Sequence, residues 1–434
     1  IRRPPRSTQS RSSAASDVYK RQDLTVLWVT VAGFLVFFMH AGFTLLESGM
    51  TQSKNAVNIA MKNLMAISVG TIVYWFVGYS LMYGETENGF FRWSGFFTQN
   101  GPPQAHDLFF QTMFAATCAT IVSGAVAGRT KYSIFGIFAI LITGLIYPIA
   151  GGWEWNTDGW LNTASFLPKD SMGETVEFID LAGSSIVHAV GGWAALVGAY
   201  MVGPRLGKYV NGKVEPIPGH NKTLATLGVM ALWFGWFGFN GGSQLAWGGD
   251  NTTAATTIVL FTNLSAAAGA IGALATTWIW YGKPDIVQTL NGALAGLVSI
   301  TAGAANMDAI GTFFAGFVGG VIVVFAIEFI EKKLKIDDAI GASSVHGVVG
   351  VWGTIVIGLW GIDAEGPIGL FNGAGPDQLI TQVIGALAYS IWAAFFAFIF
   401  FWLLNKYVGL RAVSYTHLRA HETLRYLVCR LLLE

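Results

Sequence analysis

His188 and His346 sit inside apolar, glycine-rich segments that read alike, SSIVHAVGGWAAL and SSVHGVVGVWGTI. An imidazole can donate and accept hydrogen bonds and exchange protons near neutral pH. Placing one at membrane depth is costly and marks a functional candidate. A lone buried histidine usually satisfies a backbone carbonyl. Two in matching wrappers predict a single site assembled from both halves of a duplicated chain. His40 lies at similar depth without a counterpart and reads as packing. His106 and His220 are expected in solvated loops. Asp180 falls about two helical turns before His188, on roughly the same side.

The elements that must hold these residues are apolar helices. The 434-residue chain is 53% hydrophobic and only 12% charged, against about 25% charged in a soluble domain. Its 54 glycines suit helices packed closely in lipid. A net charge of zero gives no sign of nucleic-acid binding, and two cysteines, Cys118 and Cys429, form neither a disulfide framework nor a metal cluster. Eleven spans are expected, at roughly 24–46, 56–83, 108–128, 132–151, 181–202, 223–241, 253–280, 288–304, 310–330, 343–361 and 379–404.

Loop charge sets the orientation. Connections after the odd spans carry Lys54; Arg129 and Lys131; Arg205, Lys208, Lys213 and Lys222; Lys283; and Lys332, Lys333 and Lys335. Those after the even spans carry only Arg92 and Lys169, with the acids Glu85, Glu87, Glu154, Asp158, Glu174, Glu177, Asp250, Asp363 and Asp377. The positive-inside rule places the N-terminus outside and the C-terminus in the cytoplasm. With His188 in span 5 and His346 in span 10, each repeat holds five spans. An odd number inverts the second copy, so spans 1–5 and 6–10 form inverted repeats and span 11 is extra. The fold class expected is an all-α polytopic membrane protein.

Both ends break with the rest in composition. Residues 1–22 are basic and serine-rich without an apolar core, and residues 412–434 (AVSYTHLRAHETLRYLVCRLLLE) change character as abruptly. Both are expected to be non-native additions flanking a transmembrane domain at 23–411. His417, His421 and Cys429 are therefore set aside.

Four segments together carry a family resemblance: IDLAGSSIVHAVGG, FGWFGFNGGS, KPDIVQTLNGALAGLVSITAGA and DDAIGASSVHGVVGVWG. Over residues 24–411 the chain resembles the ammonium transporter family, the Amt branch of the ammonium transporter/Rhesus superfamily. The resemblance implies an outer recruitment site at Phe110, Trp155 and Ser243, a stacked gate at Phe114 and Phe239, pore histidines at His188 and His346, and a structural-electrostatic role for Asp180. It also implies a cofactor-free transporter rather than an enzyme, a multi-pass cell-membrane location, a homotrimer with one pore per subunit, and control by a PII-type signal protein on the cytoplasmic face. Ammonium and ammonia are the implied substrates, with methylammonium as an analogue. The expected topology agrees with this order: Phe110 lies one turn outside Phe114 on span 3, and Ser243 one turn outside Phe239 on span 6.

The chemistry expected is recruitment of a cation by aromatic faces, each contact worth about 0.5–2 kcal/mol. Deprotonation near the phenyl gate follows, then passage of ammonia past the histidines. Releasing the proton avoids most of the cost of desolvating the ion. Three rival readings stand beside this one: an ammonium sensor that transports little, a Rhesus-like gas channel, and a membrane haem protein with two histidine ligands.

Overall fold

Apolar sequence of this length, withdrawn from water, must satisfy its backbone within helices. The computed structural model describes residues 6–86, 88–96 and 105–412, with side chains described from residue 21. Glu87 and the segment 413–434, with His417, His421 and Cys429, lie outside the described residues. The first helix runs from Arg6 and so continues through most of the N-terminal segment set aside above.

Among the described residues, ten helices are long and apolar enough to cross a membrane: α1 (Arg21–Met50), α2 (Ser53–Tyr83), α3 (Ala105–Ala125), α4 (Tyr132–Gly151), α5 (Ser184–Val202), α6 (Lys222–Gly242), α7 (Asp250–Tyr281), α9 (Ala309–Lys333), α10 (Ser343–Trp360) and α11 (Asp377–Tyr407). The eleventh, α8, is shorter, at Ile286–Thr301. Its C-terminal end is tied to the segment that leads into α5. Leu181 and Ala182 donate backbone N–H groups to Ala302 and Thr301, and the Ser184 hydroxyl accepts from the Ala302 N–H.

The two five-helix halves meet antiparallel. Along α1 and α6, Trp28 donates to the Gly241 carbonyl, Gly42 abuts Leu232, and Gly49 abuts Ala225. Along α5 and α10, Gly192 abuts Gly347, and Gly350 abuts Ala189. In each pair one residue number rises as the other falls, so the pairs run in opposite directions. A Cβ on Gly192 would lie 2.0 Å from the Gly347 nitrogen, so only glycine permits this approach.

Loop contacts sort the two faces. Arg129 donates to the Gly203 and Asp337 carbonyls, and His220 donates its backbone N–H to Thr51. The loops rich in Lys and Arg therefore share one end, here the basic end. At the other, acidic end, Trp160 N–H bonds the Gly89 carbonyl and Ile362 N–H bonds Asn306. The basic end also holds a small hairpin, Tyr209–Val210 with Lys213–Val214, which the all-α reading did not anticipate. Asn211 and Gly212 both take positive φ (51° and 76°), as a tight two-residue hairpin turn requires.

Candidate functional site

Both histidines lie on irregular turns. Ser184–Ala189 and Ser343–Val348 are each six-residue π-helical segments opening α5 and α10. Before each comes the same device. Gly183 and Gly341 adopt φ of +102° and +82°, a conformation that L side chains resist. Asp180 then receives the freed backbone groups: its Oδ1 accepts from Gly183 and Ser184 N–H at 2.9 and 2.7 Å, and its Oδ2 from Ser185 and Ile186 at 2.8 and 3.0 Å. Asp338 repeats this on the other side, accepting from Ala342 and Ser343 N–H at 3.1 and 2.6 Å. Burial raises the Asp180 carboxyl to about 6, against the pull of its N–H donors. Burial raises that of Asp338 as well. Asp338 had no assigned part in the sequence reading, although its signal was present: D-x-x-G-x-x-x-x-H occurs at Asp180–His188 and again at Asp338–His346.

At the acidic end a cavity of about 390 Å³ opens, with Tyr79, Asp107, Gln111, Trp155 and Ser243 on its walls and Phe114 at its base. Trp155 is fixed by its indole N–H, which donates to the Asp180 carbonyl at 2.8 Å. The Ser243 hydroxyl donates to the Phe239 carbonyl at 2.8 Å, leaving its lone pairs to accept from a guest. Phe110 is buried behind this wall, its ring edge-on to Phe114 at 4.7 Å. The sequence reading missed Asp107. This carboxylate accepts from the Tyr79 hydroxyl at 2.8 Å and sits on the cavity wall. Two expectations change here. His106 is part of the first turn of α3 and lines this cavity, rather than lying in a loop. Glu154 is only half exposed, with one carboxyl oxygen buried, and burial first and the Asp180 charge second push its carboxyl well up. His220 is exposed, as the loop reading had it, with Nδ1 at 2.9 Å from the Thr51 carbonyl.

Below the cavity Phe114 and Phe239 stack, their centroids 4.0 Å apart and their planes at 28°. His188 follows, 5.5 Å from Phe239 and 4.9 Å from Trp236. The indole N–H of Trp236 donates to Thr301 Oγ1 at 2.9 Å, which fixes that ring. His188 and His346 stack at 5.1 Å, and their Nδ1 atoms lie 3.1 Å apart. A hydrogen bond at that distance needs one Nδ1 protonated and the other bare, so two neutral rings must be opposite tautomers. Both rings are buried, at 0% and 4% exposure. A haem iron ligated from both sides would have to part these two nitrogens. His40, read as packing, faces Thr120 Oγ1 at 3.4 Å.

Fold and site define a class: a polytopic helical membrane protein in which a vestibule, a ring stack and a histidine pair lie in line. The sequence comparisons name it. The model of the Ammonium Transporter Family matches residues 27–424, and the chain belongs to that family. It is 40% identical over 402 residues to ammonium transporter Amt2 of Archaeoglobus fulgidus, covering 89% of this chain and 83% of that protein. It is 38% identical over 409 residues to ammonium transporter Amt1 of Haloferax mediterranei, covering 90% and 76%. Among solved structures it is similar to a sensor Amt protein, with a TM-score of 0.83, 35% identity and coverage of 91% and 96%. Mep2 of Candida albicans follows with a TM-score of 0.78, 27% identity and coverage of 90% and 86%.

Proposed function

We propose that the chain carries ammonium nitrogen across the cell membrane, entering from the acidic end. The alignment of cavity, ring stack and histidine pair carries this reading. The acidic end is taken as the outside, because the opposite loops hold nearly all the lysine and arginine. Ammonium is drawn to the vestibule by its acidic surroundings. It is held against Trp155 and the Phe114 face, with Ser243 accepting an N–H. Asp107 adds a negative wall to that site. Asp180 acts indirectly, by fixing both Trp155 and the turn that carries His188.

An intact ion between Phe114 and Phe239 would lose its hydration with nothing polar to replace it. Neutral ammonia avoids most of that cost, so the proton is given up above the rings and ammonia passes. The histidine pair then offers both a donor and an acceptor. Potassium has a similar radius but no proton to lose, and this separates the two ions. The family also supports a homotrimer with a pore in each subunit, and a PII-type protein docking on the basic face.

A second reading has one observation in its favour, the 35% identity to a protein named a sensor Amt. Vesicle uptake of radiolabelled methylammonium separates the two. The transporter reading expects uptake that ammonium competes away and potassium does not. A normally folded His188→Ala, His346→Ala double variant should lose it. Unchanged uptake and selectivity in that variant would remove the histidines from the pore. Wild-type protein that binds ammonium yet moves no methylammonium would establish the sensor reading instead.

A further inference from the structure

One buried acid has no part in the path described so far. Glu47 lies on α1 within a turn of its basic end and is 1% exposed. Ser123 Oγ on α3 lies 2.7 and 2.8 Å from its two carboxyl oxygens. From α2, Lys62 and Asn63 face it. Lys62 is fully buried, and its Nζ has no hydrogen-bond partner among the described residues. That nitrogen lies 5.7 Å from the Phe135 ring on α4, with Arg129 the next cation beyond it. From α10, His346 faces the same small cavity as Glu47, with Phe43, Thr120 and Asn291 also on its walls. The cavity volume is about 10 Å³, room for about one water-sized molecule. Ammonia is of that size.

The Ser123 contact fits both forms of the acid. A hydroxyl carries one proton and two lone pairs. It donates to a carboxylate and accepts from a carboxylic acid, without moving. Ser123 shares its one proton between the two carboxyl oxygens, while Asn63 bonds the same carboxyl and Lys62 sets a positive charge beside it, so the acid has partners in either form and faces the cavity below His346.

We infer that Glu47 returns a proton to ammonia after it has passed His346. This rests on the transport reading above. In the step, the O–H bond of the Glu47 carboxylic acid breaks and the nitrogen lone pair of ammonia takes the proton. Ammonium and a carboxylate result, and no electron changes hands. Ammonium leaves toward the basic end. The carboxylate is reloaded by the proton surrendered on the vestibule side, passed across the Nδ1 pair of His188 and His346. The net movement is one ammonium ion, and therefore one charge.

The test is an ammonium chloride pulse on proteoliposomes, reading membrane current and internal pH together. Wild-type protein should give current with little internal alkalinisation. Glu47→Gln should lose current by about tenfold or more while the interior turns alkaline, since ammonia then arrives without its proton. Glu47→Asp should keep the current. Full current in Glu47→Gln overturns the inference, as does loss of both signals in a folded Glu47→Gln, which would make Glu47 a wall of the pore. If Glu47→Gln does not fold, Ser123→Ala replaces it. The relay expects a displaced pH profile of the current, and an unchanged profile overturns it. Wild-type protein with neither signal removes the transport reading itself, a result distinct from any of these.

Discussion

The Asp180 carboxylate is committed to backbone: four N–H groups converge on two oxygens inside a site with no exposed surface. Asp180→Asn keeps the shape and removes one acceptor atom, leaving two buried donors facing an NH₂ group. Each unmet donor costs about 1–3 kcal/mol, so the variant should unfold at lower temperature in detergent and lose methylammonium uptake. Its pH dependence follows from burial raising the acid from 3.8 to about 6. The folded state holds this proton more tightly than the unfolded state. Its contribution is complete below about pH 4 and fades as pH rises through about 6, on the order of 3 kcal/mol in all. The wild-type midpoint should therefore fall across that window relative to Asp180→Asn, and parallel curves would refute the assignment. Residue-level legibility followed context. His188 and His346 stood out because each was a polar group in an apolar run. Glu47 did not, because an acid close to a helix end reads as solvated, and only packing shows that α2 and α3 enclose it.

At the scale of elements, the weight falls on the crossing of α5 and α10. Gly192→Ala would press a methyl group to within 2.0 Å of the Gly347 backbone nitrogen. Backbone cannot rotate aside, so the helices must separate. Overpacking of this kind costs about 1–3 kcal/mol. Transport should suffer more than stability, because the same movement opens the 3.1 Å contact between the histidines. Thermal unfolding and methylammonium uptake on one preparation would check this, and a stable, fully active variant would count against the crossing. Span positions were legible because apolar length alone marks them. Their ends were less so: α5 begins at Ser184 rather than 181, since Asp180 and Gly183 form a cap that hydrophobicity does not register. The π turns were invisible for a related reason. A hydrophobic pattern averages over several turns, and one extra residue in a single turn barely alters it.

Across the whole molecule, the basic end is tied by charge. Arg205 holds Asp337 through two side-chain bonds, at 2.8 and 2.7 Å, and Arg129 spans to the Gly203 and Asp337 carbonyls. Three loops are joined this way. Burial alone would raise the Asp337 carboxyl, but Arg205 and then Arg129 outweigh it and hold it below the usual range. Its contribution is thus present above about pH 4 and is lost as pH falls through the lowered value. Arg205→Met leaves Asp337 buried and without its partner, at a cost of about 3–5 kcal/mol. The variant should unfold earlier at neutral pH and lose part of the wild-type decline in acid, as thermal scans at stepped pH would record. The sequence marked these cations as facing one side; it could not pair them, because pairing needs the third dimension. The ring stack has a consequence for the cell's energetics. The vestibule stops at Phe114 and the inner cavity starts at His346, with two stacked phenyl rings and an imidazole between. On the transport reading proposed above, that layer bars bare ions, and charge crosses it only in step with ammonia. A membrane crowded with such proteins would then keep its voltage while ammonium is absent, and a cell could raise their number without short-circuiting the gradients that drive its other work.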